Sequence, residues 1–218
     1  AGANIEIETR SYPQSALTLS FAHSRPHRET STEFHTTSGP FTLVPLPGDR
    51  SSLVWVLDPD QAAAIGNLTD DELSLELERR AQSILGKITV ESGRGLFPLA
   101  MSQAGQFARK RIALIGEAAH VLPPIGAQGL NLGLRDAAAI GELAIAAWRD
   151  GRDAGADDVL TEYGRVRRAD VGSRAFAVDL LNRSLLSDFL PVQSARGLGL
   201  YLLDRIGPLR RAVMREGT

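Results

Sequence analysis

Residues 111–115, Arg111-Ile112-Ala113-Leu114-Ile115, run into GEAAHVLPPIGAQGLNLGLRD over 116–136, and this stretch decides how the chain is read. A continuous apolar run of the buried-strand type ends at Gly116. The loop beyond it carries Gly116, Gly126, Gly129 and Gly133 with the pair Pro123-Pro124. Proline removes a backbone donor and sets φ, while glycine lets the chain pass close to something flat or anionic. A helix is expected from about Gly129 to Trp148. Its first N–H groups lack intrahelical partners and carry partial positive charge, which suits an anion or a developing negative charge. A plain strand-to-helix connection, with glycines that only permit close packing, produces the same pattern. Strand, glycine loop and helix together make the place where α/β proteins hold ligands. Glu117 and His120 stand at i, i+3, but with four histidines and no second cluster no metal site is expected. His120 is expected to be a hydrogen-bonded loop residue.

Upstream, the period changes. Leu17, Leu19 and Phe21 alternate with Thr18, Ser20 and Ala22, as in a half-buried strand. Runs 41–46 and 52–57 flank Pro47-Gly48-Asp49-Arg50 and read as a hairpin. Asp58-Pro59 is an N-cap with a first-turn proline. Thr69 and Glu72 form a capping box, and Leu73, Leu77, Ala81 and Ile84 keep one face apolar up to Gly86, a helix of about four turns. Residues 88–99 add one or two strands ending at Phe97-Pro98-Leu99. Downstream, helical blocks are expected over about 157–186 and 192–214. The fold class is α/β (α+β): a sheet with a covering helix, then strand, loop and helix, then C-terminal helices. The expected organisation is a sheet domain over 1–100, a ligand-binding part over 101–149 and a helical region over 150–218.

The 218 residues carry 24 Lys+Arg against 26 Asp+Glu, a net charge of −2, which argues against a nucleic-acid partner. No run of 18 apolar residues implies a spanning helix, and the polar N-terminal stretch has no signal-peptide h-region. Cysteine is absent, so disulfides, thiolate metal sites and cysteine nucleophiles are excluded, and a cytoplasmic setting fits. The absence of G-x-S-x-G argues against a serine hydrolase built around His120. Residues 189–218 hold five arginines against Asp204 and Glu216, with an apolar face of Leu198, Tyr201, Leu202, Leu203 and Ile206. Such a stretch either packs on its own domain or docks on a membrane face or a partner.

The segment GEAAHVLPPIGAQGLNLGLRDA closely resembles the second flavin-binding motif of class A flavoprotein monooxygenases, the para-hydroxybenzoate hydroxylase type. The resemblance is greatest to the ubiquinone-biosynthesis ring hydroxylases. It extends through SYPQSALTLSFAH (11–23), STEFHTTSGPFTLVPLPGDRSSLVWVL (31–57), Phe97-Pro98-Leu99 and LLDRIGPLRRAVMREG (202–217). It implies FAD contacts from Gly116, Glu117, Ala118, His120, Pro124, Gly126, Ala127, Gln128, Gly129, Leu130 and Asn131. Glu117 stands where the family has Asp, and Gly126-Ala127 where many members have Ala-Gly. No GxGxxG occurs, although members begin with one. The resemblance therefore implies a C-terminal fragment of a larger enzyme, inactive by itself. A non-catalytic accessory or scaffold protein derived from the hydroxylase fold is the alternative.

The implied reaction uses NAD(P)H or another reductant, dioxygen and a flavin hydroperoxide that hydroxylates a polyprenylated phenol. Backbone N–H groups around 127–131 would stabilise the reduced ring's negative charge, and Pro123 and Pro124 would wall the reacting side. Leu43, Pro45, Trp55 and Pro123 are the candidate substrate contacts, although ordinary sheet-core packing is the favoured explanation for any one of the sheet residues. The implied partners are a ubiquinone-biosynthesis complex or the inner membrane face through 189–218, and a homo-oligomer that covers exposed apolar surface.

Overall fold

The structure, a computed structural model, describes residues 4–124, 128–186, 205–208 and 211. The helix expected over 192–214 therefore lies almost wholly outside the described residues. The chain divides into two compact units, one over 11–99 and the other over 4–10 with 100–184. The strands β1 (Ile7–His23) and β6 (Gly95–Ala104) run from one into the other.

In the first unit, β1, β2 (Thr32–His35), β3 (Pro40–Leu46), β4 (Arg50–Leu57) and β5 (Ile88–Val90) form antiparallel pairs. Register follows the period-2 pattern: Leu17 faces Trp55 and Leu19 faces Leu53 across β1–β4, and Phe41 and Leu43 face the same two residues across β3–β4. This puts Leu17, Leu19, Phe21, Phe41, Leu43, Leu53, Trp55 and Leu57 on one face. There they bury against Ala62 of α1 (Pro59–Gly66) and Leu73 and Leu77 of α2 (Asp70–Arg80). Phe41 meets Trp55 edge-on at 5.2 Å, and the Arg80 guanidinium lies 4.8 Å over the Trp55 ring.

Asp58 caps α1 through the Gln61 N–H, and the Thr69–Glu72 capping box opens α2. α2 stops at Arg80, earlier than the apolar period suggests. Gln82 and Ser83 both turn left-handed, the Ser83 N–H closes back on the Glu78 carbonyl, and Ile84 is left exposed. β6 instead continues past Leu99 to Ala104.

The opposite face of the sheet carries Thr18, Ser20, Thr42, Ser52 and Val54, all half-buried, with Val44 exposed. Gly39 turns the chain into β3 with φ at +142°, and a Cβ there would lie 2.6 Å from Val56 Cγ1. Gly39→Ala should therefore cost about 2 kcal/mol in denaturant unfolding.

In the second unit the start of β1 and the end of β6 are joined by a Thr9–Ser102 hydroxyl hydrogen bond of 3.0 Å. β6 pairs antiparallel with β9 (His120–Val121). β7 (Ala108–Arg109) and β8 (Ile112–Ala113) form a hairpin whose two-residue turn, Lys110-Arg111, is left-handed at both positions. Two helices follow, α3 (Gln128–Arg149) and α4 (Asp157–Leu186). Phe107, Ala119, Leu132, Tyr163 and Val171 form the core.

The expected strand over 111–116 is reduced here to Ile112–Ala113. Leu114 and Ile115 continue without a ladder, and Gly116–Ala118 close a single 3-10 turn. Apolar content alone does not make a strand, because every backbone group needs a hydrogen-bonding neighbour. Among the described residues only β7 forms a ladder with this run; Leu114 is held by the Phe107 carbonyl and the Tyr163 hydroxyl, and Ile112 and Ile115 remain nearly half exposed.

Candidate functional site

Gly116 adopts φ +56°, a conformation that costs glycine nothing, and so turns the chain out of the β8 segment. A Cβ on Gly133 would come within 3.3 Å of the Gly116 Cα, so α3 crosses this turn almost backbone to backbone. Glycine at both positions permits that approach. It brings Asp136, one turn further along α3, beneath the turn.

Asp136 is wholly buried. One carboxylate oxygen accepts from the Gly116 N–H at 2.8 Å and from His120 Nε2 at 2.8 Å, and the other accepts from Arg167 Nε at 2.6 Å. Burial pushes the Asp136 carboxyl up. Hydrogen bonds from His120, Gly116 and Arg167 outweigh it and hold the group below the ordinary carboxylate value. Arg167 is nearly as buried and also donates to Asp170 at 2.7 Å. Beside this cluster the Tyr163 hydroxyl donates to the Leu114 carbonyl at 2.6 Å. Burial and the nearby Asp136 charge push that phenol far above its ordinary value.

The loop candidates distribute around this anchor. His120 is buried with its Nε2 committed to Asp136, but it opens the short strand β9 instead of lying in the expected loop, because its backbone pairs with Gln103 of β6. Glu117, Ala118 and Pro124 are exposed and Pro123 is buried. Gly126 and Ala127 lie outside the described residues. Gln128, Gly129, Leu130 and Asn131 form the first turn of α3, and the Gln128 side-chain carbonyl accepts from Arg174 at 3.0 Å. Leu130 is 76% exposed, and a Cβ added at Gly129 would meet no atom of the chain within 4 Å. Among the described residues, nothing packs over the Gly129 and Leu130 positions of the first turn of α3.

Of the candidate substrate contacts, Leu43 and Trp55 lie in the helix-covered core of the sheet, so they are packing residues here. Pro45 is half-buried on β3. Asp136, Arg167, Asp170 and Arg174 were not among the candidates. Asp136 does carry a signal, since it falls on the helical face set by Leu132, Ile140 and Leu143, where only core residues are expected.

Residues 1–176 match the family described as "FAD binding domain". The chain is 39% identical over 214 residues to the ubiquinone hydroxylase UbiL of Rhodospirillum rubrum, covering 98% of this chain and 50% of that protein. It is 30% identical over 213 residues to the 3-demethoxyubiquinol 3-hydroxylase of Escherichia coli, covering 98% and 54% respectively. Among solved structures it is similar to PqsL, a probable FAD-dependent monooxygenase from Pseudomonas aeruginosa. The TM-score is 0.71 at 25% identity, over 84% of this chain and 52% of that one. The flavin-dependent brominase Bmp2 shares the fold at a TM-score of 0.69 and 18% identity, over 98% of this chain and 52% of that one. The chain spans about half the length of the curated relatives it matches. From the match over 1–176 and the Gly116–Asp136 strand-loop-helix element, the chain belongs to the FAD-binding domain family.

Proposed function

We propose that this chain is the substrate-sheet and flavin-contacting part of a longer FAD-dependent ring hydroxylase of ubiquinone biosynthesis. The observation that carries the reading is the open first turn of α3, anchored through Gly116 and Asp136 and leaving bare backbone at Gly129. A flat ring fits such a surface because a side chain at Gly129 would occupy the same space. Gly129, Leu130 and Asn131 would present backbone N–H groups to the electron-rich edge of the flavin and stabilise negative charge there. Pro123 and Pro124 would close one side and limit access of water. FAD, when bound, supplies the activation of dioxygen, one atom entering the ring and one leaving as water with two electrons from NAD(P)H or another reductant.

For the substrate we place the recognising surface on the open sheet face, where Thr18, Ser20, Thr42 and Ser52 alternate with Val44 and Val54. Hydroxyls beside aliphatic side chains suit a phenol with an apolar tail, and a polyprenylated phenol is the substrate class we infer. Support for a longer protein comes from the half-length match and from α3 itself. Leu130, Leu134, Ile145 and Trp148 form an exposed stripe at helical spacing with no charge in it, the kind of surface that folding or self-association covers. No helix among the described residues is long and apolar enough to cross a membrane. Peripheral docking through 189–218 rests on the arginines and the apolar residues of that sequence.

Titrating FAD into the 218-residue chain, and into the longest natural polypeptide that contains it, tests the reading. Weak binding by the first and stoichiometric binding by the second, with phenol-dependent oxygen uptake, is the expected result. A longer polypeptide that takes no flavin would favour the accessory-protein alternative.

A further inference from the structure

We propose that Asp170 and Arg174 of α4 act as positioning residues that lock the two ends of the flavin loop into one fixed geometry. This rests on the reading of residues 116–131 as the flavin-contacting loop. One end of that loop, the Gly116 N–H, is held by Asp136. The other end, Gln128, is held by Arg174 through the side-chain carbonyl at 3.0 Å. Between the two anchors runs an unbroken series of charge-assisted contacts. Arg167 Nε donates to Asp136 at 2.6 Å, Arg167 Nη1 to Asp170 at 2.7 Å, and Arg174 Nε to Asp170 at 3.0 Å.

The three α4 residues stand at i, i+3 and i+7, so they share one helix face and alternate in charge. Their spacing is set by the α4 backbone, which makes them a rigid ruler between the loop ends. Arg135 adds a third guanidinium facing Asp170, at 3.9 Å. The Asp170 carboxyl is accordingly held below its ordinary value: burial opposes this, and hydrogen bonds from Arg174 and Arg167 overcome it.

An ionic series of this kind is a poor way to gain stability, because desolvating the charges offsets most of their attraction. Its distinguishing property is directional, since a planar guanidinium that bridges two carboxylates with one N–H to each fixes their relative placement. Removing Asp170 leaves Arg167 tied to Asp136 and takes away the carboxylate that orients Arg174 toward Gln128. The Gly116 end would then stay fixed while the α3 end loosens.

Two measurements separate this proposal from the loop reading it depends on. In the 218-residue chain without flavin, Arg174→Gln and Asp170→Asn should each shift the Gly129 and Leu130 backbone amide signals. Hydrogen exchange of the Leu132 amide, the first in α3 with an acceptor four residues back, should quicken about tenfold. Arg165→Gln, which breaks an exposed pair with Glu162 on the same helix, should leave those amides unchanged. In the flavin-loaded longer protein, Arg174→Gln and Gln128→Leu should each weaken FAD about tenfold, and the double variant no more than either alone. Rescue of Arg174-dependent binding by Gln128→Glu, which keeps an acceptor for the guanidinium, supports the same link. Unchanged amides, or single effects that multiply to about a hundredfold in the double variant, would overturn the positioning role. If the wild-type protein takes no flavin, the loop reading fails, and the amide experiment still decides whether the ends are coupled.

Discussion

Asp136→Asn should lower the unfolding free energy by about 3–5 kcal/mol, the largest stability loss expected from any single conservative change in this chain. The carboxylate accepts three hydrogen bonds on two oxygens, from the Gly116 N–H, His120 and Arg167. An amide offers one acceptor oxygen and turns an NH2 toward a donor. It also leaves the buried Arg167 charge facing only Asp170. Denaturant midpoints at constant slope would measure the loss. A change below about 1 kcal/mol would show that the cluster is solvated.

The pH dependence has a defined sign. The folded-state carboxyl lies below its unfolded value of about 4, so its contribution is fully present above that pH and disappears as pH falls through the lower folded value. Wild-type stability should therefore decline on the acid side of about pH 4, and Asp136→Asn should decline less. Asp153 makes a useful control. Hydrogen bonds from Arg111 and the Gly155 N–H hold its carboxyl at about 2, but both it and Arg111 are exposed. Asp153→Asn should leave the midpoint nearly unchanged.

Gly129→Val should abolish flavin content in the longer protein, while Arg149→Ala on the exposed last turn of α3 should not alter it. A Cβ at 129 meets no atom within 4 Å among the described residues outside the helix's own turn, and valine is a better helix former than glycine. The branched carbons would fill the space above the first turn of α3, where the ring is proposed to rest. Flavin absorbance per protein after purification decides the matter, with circular dichroism showing that both variants remain folded. Equal yellow colour in both would remove the loop from the cofactor site.

Much of the sheet unit is legible in one dimension because its determinants are local. Alternation from Leu17 to Phe21 sets which side of β1 is buried, and Pro47-Gly48-Asp49 sets the hairpin. Asp58 and the Thr69–Glu72 box start α1 and α2, since capping involves groups three residues apart. The end of α2 is less legible: Gln82 and Ser83 adopt left-handed φ without being glycine, and nothing in their identity requires it. Alternation also separates the two sheet faces without saying which of them a helix covers. Packing of Leu73 and Leu77 against Trp55 and Leu43 assigns those candidates to the core and leaves the Thr18–Thr42 face open.

The strand-loop-helix element over 111–136 was readable as a type, with its helix starting near Gly129, because glycine and proline restrict backbone shape residue by residue. Its extent was not, since a strand needs a neighbour and the run 111–116 has β7 alone beside part of it among the described residues. The anchor beneath the loop was hidden for a related reason. Asp136 is 20 residues from Gly116, 16 from His120 and 31 from Arg167, and Arg174 is 46 from Gln128. Periodicity could mark Asp136 as a charge on a buried face, but it could not name the partners that make such burial tolerable. The sequence alone therefore determined where the backbone turns, which faces are apolar and which family the loop resembles, all properties of short-range sterics and burial. Only the tertiary structure decided what holds the loop, because pairing buried charges requires groups from three separated segments to arrive at one point in space.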